Sequence, residues 1–301
     1  MFGEAFTWPI IPIHLALLPD GRVMTYGTDE AGNPRGSALK YAVWNPADAA
    51  TPFQVLPNTT ATQIFCATQV LQANGDLMIL GGTTVLKGMG GNGSAGVTTF
   101  SSATNKVTKQ TPMKYERWYG TAVTMGSGEV AVMGGRIVGP TEEDPNGAKS
   151  TYATVPEVYN PTTGWRVLNG VTNKMAYGFQ AGKGSNWNYP RAWLAPDGKV
   201  MSFGDDGVIY SLDVAGTGAV SVLPQAINRR AVARFGVMYQ PGKLLLGRYA
   251  NTVQSVDMNG ASPVVKVEAP LSVPRMYGSG TLLADGKVWV SPVDTVVRVR
   301  T

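Results

Sequence analysis

The chain has 301 residues, 44% of them apolar and only 15% charged, with 37 glycines and a net charge of +5. Its Lys and Arg residues are scattered with no basic run of five, which argues against a nucleic-acid partner. No apolar run approaches the ~20 residues of a membrane helix, and a single cysteine, Cys66, excludes an internal disulfide.

The start, Met1 to Glu4, has neither a basic nor an apolar stretch, so no signal peptide is expected. From there the sequence predicts one unit over and over: an apolar strand, a tight turn with glycine, and a second apolar strand ending in a small residue. The copies run from His14 to Gly27, Thr68 to Gly82, Thr121 to Gly135, Ala192 to Gly204, Gly236 to Gly247, and Gly280 to Val290. Asp-Gly and Asn-Gly supply the positive φ that tight hairpins need. Strands apolar on both sides fit positions covered by neighbouring sheets on both faces.

The turn glycines stand at 21, 75, 128, 198, 242 and 286, so the spacings are 54, 53, 70, 44 and 44 residues. That period, close to the ~50 residues of a kelch unit, predicts an all-β fold, a kelch-type β-propeller with about six blades. Outer strands follow at Tyr41–Trp44, Glu157–Tyr159, Val208–Asp213 and Ser255–Asp257. The long third interval holds a loop from Gly139 to Ser150, whose Glu142, Glu143 and Asp144 read as a solvated acidic cluster or a weak calcium site. After Val290 the last blade is short. Residues 1–301 are therefore expected to form a single propeller domain with an incomplete last blade and no C-terminal sandwich domain.

Inner-strand starts face the mouth of a propeller's central channel. Three recur at the same phase of successive blades: Gln63 to Thr68, Glu116 to Thr121, and Tyr189 to Trp193. Together, Ile64-Phe65-Cys66, Arg117-Trp118-Tyr119 and Tyr189-Pro190-Arg191 resemble the galactose oxidase and glyoxal oxidase family of copper radical oxidases, over nearly the whole chain. The resemblance implies a seven-bladed kelch propeller followed by a small β-sandwich, and an extracellular or cell-surface, secreted enzyme. Such an enzyme oxidises a primary alcohol or aldehyde, or a carbohydrate, and reduces O₂ to H₂O₂.

By the same resemblance, Cys66 and Tyr119 are the thioether-crosslinked pair, with Tyr119 both a copper ligand and the radical cofactor. Trp118 would shield it, and Arg117, Tyr189, Arg191 and Trp193 would line or stack on substrate. The family's copper also takes a Tyr-His pair on the final blade and a second histidine from the sandwich domain. This chain has only His14, at an apolar strand start where a packed imidazole is expected. At Arg275 to Ser279, glycine stands where that pair would have histidine. The expectation is an oxidase-like propeller without a complete copper site, inactive as this chain because the histidine ligands are absent. The alternative is a non-catalytic kelch propeller that binds glycan or protein through its loops.

Overall fold

In a computed structural model the described residues are 7–33, 40–86, 89–140, 144, 147–182, 184–228, 235–247, 251–273 and 278–291, without the side chains of 85, 86 and 89–91. They are almost entirely antiparallel β-structure. They fall into two compact units: residues 1–167 with 187–189, and residues 168–186 with 190–301.

The first unit holds three four-stranded sheets. One is β1 (Ile11–Leu17), β2 (Val23–Thr28), β3 (Lys40–Trp44) and β4 (Phe53–Pro57), paired in chain order. The next is β5 (Thr68–Leu71) and β6 (Leu77–Leu80), then a side hairpin of β7 (Thr83–Leu86) and β8 (Met89–Gly93), then β9 (Val97–Ser101) and β10 (Lys106–Lys109). The third is β11 (Thr121–Thr124) and β12 (Val130–Met133), a hairpin of β13 (Arg136–Val138) and β14 (Thr151–Tyr152), then β15 (Glu157–Asn160) and β16 (Gly164–Val167).

The second unit opens with a 3₁₀ turn at Lys174–Tyr177 and a small hairpin, β17 (Phe179–Gln180) with β18 (Gly184–Ser185). Its two four-stranded sheets are β19 (Arg191–Leu194), β20 (Val200–Phe203), β21 (Val208–Asp213) and β22 (Ala219–Ala226), then β23 (Phe235–Gln240), β24 (Lys243–Gly247), β25 (Val253–Asp257) and β26 (Val264–Glu268). A last pair, β27 (Gly280–Leu282) and β28 (Val288–Val290), follows. No helix among the described residues is long and apolar enough to cross a membrane.

Every turn glycine read from the sequence sits in the left-handed region, with φ of 84°, 86°, 83°, 82°, 69° and 80° along the chain. Burial explains the unbroken apolar runs. On β6, Leu77 and Ile79 join a core with Met24, Tyr26, Tyr41 and Val43 of the first sheet. The alternate residues Met78 and Leu80 join Val130 and Val132 of the third sheet. A strand whose two faces are both covered has no polar side to alternate with. In the second unit, Phe203, Ile209, Leu244, Leu246 and Val256 make the equivalent core between its two sheets. The outward side chains of β1 contrast with this: Ile11, Ile13, Leu15 and Leu17 are 43%, 48%, 50% and 66% exposed.

Glycine doublets at the ends of β6 and β12 let the inner-strand starts come close. Gly82 has φ of 107°, and a Cβ there would collide with the Gln63 carbonyl oxygen. A Cβ on Gly135, at φ of 98°, would stand 2.8 Å from the Cβ of Arg117. Arg117 is 1% exposed. Its guanidinium donates to the carbonyls of Gly134 (2.7 Å), Ala153 (3.3 Å) and Val155 (2.7 Å) and to Glu157 Oε1 (3.0 Å). Glu157, itself buried, also accepts from the amides of Lys114 (2.7 Å) and Tyr115 (3.2 Å).

Candidate functional site

Cys66, Tyr119 and Tyr189 occupy the same phase of three successive inner-strand starts, and all three have positive φ: 59°, 64° and 43°. Non-glycine residues avoid this region because Cβ crowds the following carbonyl, and where they persist the surroundings enforce it. Here the enforcement is partly a backbone relay. The Tyr119 amide donates to the Cys66 carbonyl at 3.3 Å, and the Tyr189 amide donates to the Tyr119 carbonyl at 2.8 Å. The left-handed turn swings each side chain off its strand, so the three gather in one place.

The Cys66 thiol is buried, 4% exposed. Burial pushes its pKa up, while hydrogen bonding from Tyr119, and more weakly from Trp118 and Tyr189, opposes the rise. The Trp118 indole N–H is buried and makes no well-aligned hydrogen bond. The Tyr119 hydroxyl is pushed well above the usual tyrosine range by burial and by Cys66, with Arg136 pulling the other way.

Around this pair stands an aromatic wall. Trp118 stacks on Tyr119 with ring centres 3.8 Å apart and planes 18° from parallel. Tyr189 leans on Tyr119 at 4.7 Å, and Trp187 lies parallel to Tyr119 at 6.4 Å. Tyr152 meets Trp187 at 5.1 Å. The Arg136 guanidinium covers the outer side, 4.2 Å from the Trp118 ring centre and 5.3 Å from that of Trp187. Strand pairing fixes it there, because Trp118 and Arg136 exchange both backbone hydrogen bonds, at 3.0 and 2.8 Å.

Cys66, Trp118, Tyr119 and Tyr189 are thus brought together. Arg117 is not part of this wall: both terminal nitrogens of its guanidinium are bonded to carbonyls or to Glu157 in a buried ion pair. Trp193 is not among these residues either. It lies on β19 in the second unit, edge-on to Phe203 at 5.8 Å and packed on that unit's core. Arg191 is on the same strand, opposite Phe203, and half-buried.

Arg136 and Tyr152 were not legible as site residues. The one available signal for Arg136 was its place directly after the Gly134-Gly135 doublet. Asp144 caps its own loop, accepting from the amides of Ala148 (3.0 Å) and Lys149 (2.7 Å). Glu142, Glu143 and the Arg275–Tyr277 stretch lie outside the described residues.

Chemically, the stack offers a thiol beside a phenol. A thioether would join the sulfur to the ring carbon ortho to the Tyr119 hydroxyl. A copper site needs more. Tyr119 offers one oxygen donor, but no cluster of three His, Cys, Asp or Glu side chains occurs among the described residues. The imidazole of His14 is committed to β1, stacked on Tyr26 at 4.7 Å and 16°. The donors among the described residues therefore do not fit a complete copper centre.

No family model matches the chain, and no curated protein matches it. Four-stranded antiparallel sheets paired in chain order are the blade pattern of a β-propeller, and comparison with solved structures agrees with a propeller-like fold. One such structure is a fungal alcohol oxidase of the AA5 family in complex with copper. It matches with a TM-score of 0.74 at 19% identity, over 96% of this chain and 60% of that one. At that identity the likeness is one of fold, and the chain spans about 60% of the length of that oxidase.

Proposed function

We propose that the chain is the propeller portion of a galactose-oxidase-like copper radical oxidase, with Cys66 and Tyr119 as the precursor of a thioether cofactor. The observation that carries this is the pair itself: two left-handed residues at the starts of neighbouring sheets, joined by the Tyr119 amide bond to the Cys66 carbonyl, a buried thiol, and an indole stacked on the tyrosine. The fold likeness to an AA5 alcohol oxidase supports the same reading. On it, the chain belongs to a seven-bladed kelch propeller of a secreted enzyme acting on primary alcohols, aldehydes or carbohydrates. Copper's nitrogen ligands are not gathered by the described residues, so we propose that the chain as it stands does not turn over.

The test is intact mass after aerobic incubation with a Cu(II) salt. Thioether formation removes the thiol hydrogen and one ring hydrogen, makes one C–S bond, and passes two electrons and two protons to O₂ to give H₂O₂. The expected mass falls by two hydrogens, in the wild type but not in Cys66→Ser or Tyr119→Phe. An unchanged mass with a titratable Cys66 thiol would sink the cofactor. It would leave the second reading, a non-catalytic kelch propeller binding glycan or protein, which the packing of His14 on Tyr26 favours.

A further inference from the structure

The rings of the wall are spaced as an electron path as well as a packed cluster. Trp118 and Tyr119 are stacked at 3.8 Å, Trp187 lies 6.4 Å from each of them, and Tyr152 lies 5.1 Å from Trp187. All four belong to the first unit. Trp187, the shared neighbour, is buried, whereas Trp118 and Tyr152 are half-buried. Phenol and indole rings lose an electron more readily than any other aromatic side chain, and electron tunnelling between π-systems falls off exponentially with separation. Rings this close therefore exchange an electron in preference to more distant pairs. The backbone also holds these rings still. The Gly135 amide donates to the Trp187 carbonyl at 2.8 Å, Trp118 exchanges both backbone bonds with Arg136, and Arg136 is paired with Tyr152 across β13 and β14. Groups fixed in advance reorganise little when charge moves, which favours transfer.

We propose that Trp187 relays single electrons between Tyr119 and Tyr152. When Tyr119 is a phenoxyl radical, it takes up one electron and one proton and becomes a phenol again. Tyr152 supplies the electron and gives its phenolic proton to water, and Trp187 is oxidised and re-reduced in between. One O–H bond forms, one breaks, and no other bond changes. The task this gives the wall, draining a radical that meets no substrate before it attacks its own ring, rests on the oxidase reading. The relay itself does not, because it needs only the rings.

The experiment exposes the metal-free, uncrosslinked chain to brief pulses of azide radical, a one-electron oxidant selective for indoles, with a nitroso spin trap present. The azide radical becomes azide, and an accessible indole loses one electron and its N–H proton. The tyrosyl radicals that follow are trapped as adducts and located by peptide mass mapping. The wild type is expected to carry an adduct on Tyr152. Trp187→Phe should lose most of it, because a phenyl ring is too hard to oxidise to act as a station, while the adduct on Tyr119 remains. Tyr159, 5.2 Å from Trp165 and outside the wall, should be trapped equally in both proteins. Tyr152→Phe keeps the ring and its packing and removes only the hydroxyl, so more adduct should collect on Tyr119. No adduct on Tyr152 in the wild type, an undiminished one in Trp187→Phe, a matching loss at Tyr159, or an unchanged Tyr119 yield in Tyr152→Phe would each overturn the relay. Because no metal or crosslink is involved, a failed thioether test leaves this result readable, and the reverse also holds.

Discussion

Residues of ordinary type are held here in unusual states. Left-handed backbone at Cys66, Tyr119 and Tyr189 costs about 1–2 kcal/mol at each position. The amide relay from Tyr189 to Tyr119 to Cys66 and the stacked rings offset that cost. His14 is held differently, by burial beside Tyr26, and its pKa is pushed down to about 4 from the usual 6.5. Folding therefore opposes its protonation. The stability that goes with a neutral His14 is complete above pH 6.5 and drains away as pH falls toward 4, by roughly 3 kcal/mol in all. Histidine 14 replaced by phenylalanine (His14→Phe) keeps the ring stack and removes the titration. Urea midpoints at neutral and mildly acid pH should converge for His14→Phe relative to wild type. Parallel pH profiles would mean that His14 protonates without cost.

The strand and its cap are the next scale. Arg117 and Glu157 tie the start of β11 to the carbonyls that lead into β15, with both charges almost fully buried. Breaking a buried pair leaves one charge unpaired, at about 3–5 kcal/mol. Arg117→Met should lose about that much in chemical denaturation, and Arg117→Met with Glu157→Gln should recover part of it. A loss below about 1 kcal/mol in the single variant would show that solvent reaches the pair. In the sequence Arg117 adjoins Trp118 and Tyr119 and so reads as a ligand contact. Nothing in the local pattern shows that Glu157, forty residues on, closes over it.

At the scale of the molecule, the hairpins were the legible part. Turn glycines and doubly apolar strands mark local geometry, and both follow from chain-local sterics and two-sided burial. The site was half legible. Cys66 and Tyr119 recur at one phase, but Arg136 and Tyr152 arrive through the β13–β14 hairpin, whose pairing no periodicity announces. The turns also allow a graded test. Around Gly21, Gly128, Gly198 and Gly286 a new Cβ meets nothing within 4 Å, so alanine there should cost only its φ strain, about 1 kcal/mol. At Gly242 the same Cβ would lie 2.7 Å from Pro196 and Asn259, and the loss measured by denaturation should be clearly larger. Equal losses at all five would mean that the crowding at Gly242 relaxes freely.

The outward row of β1 bears on how the protein behaves in the tube. Ile11, Ile13, Leu15 and Leu17 present a greasy strip to water, each at least 43% exposed. A charge of +5 spread thinly over 301 residues gives little mutual repulsion to keep such strips apart. Such a strip is expected to lower colloidal stability and to raise retention on hydrophobic resin, before any question of chemistry arises.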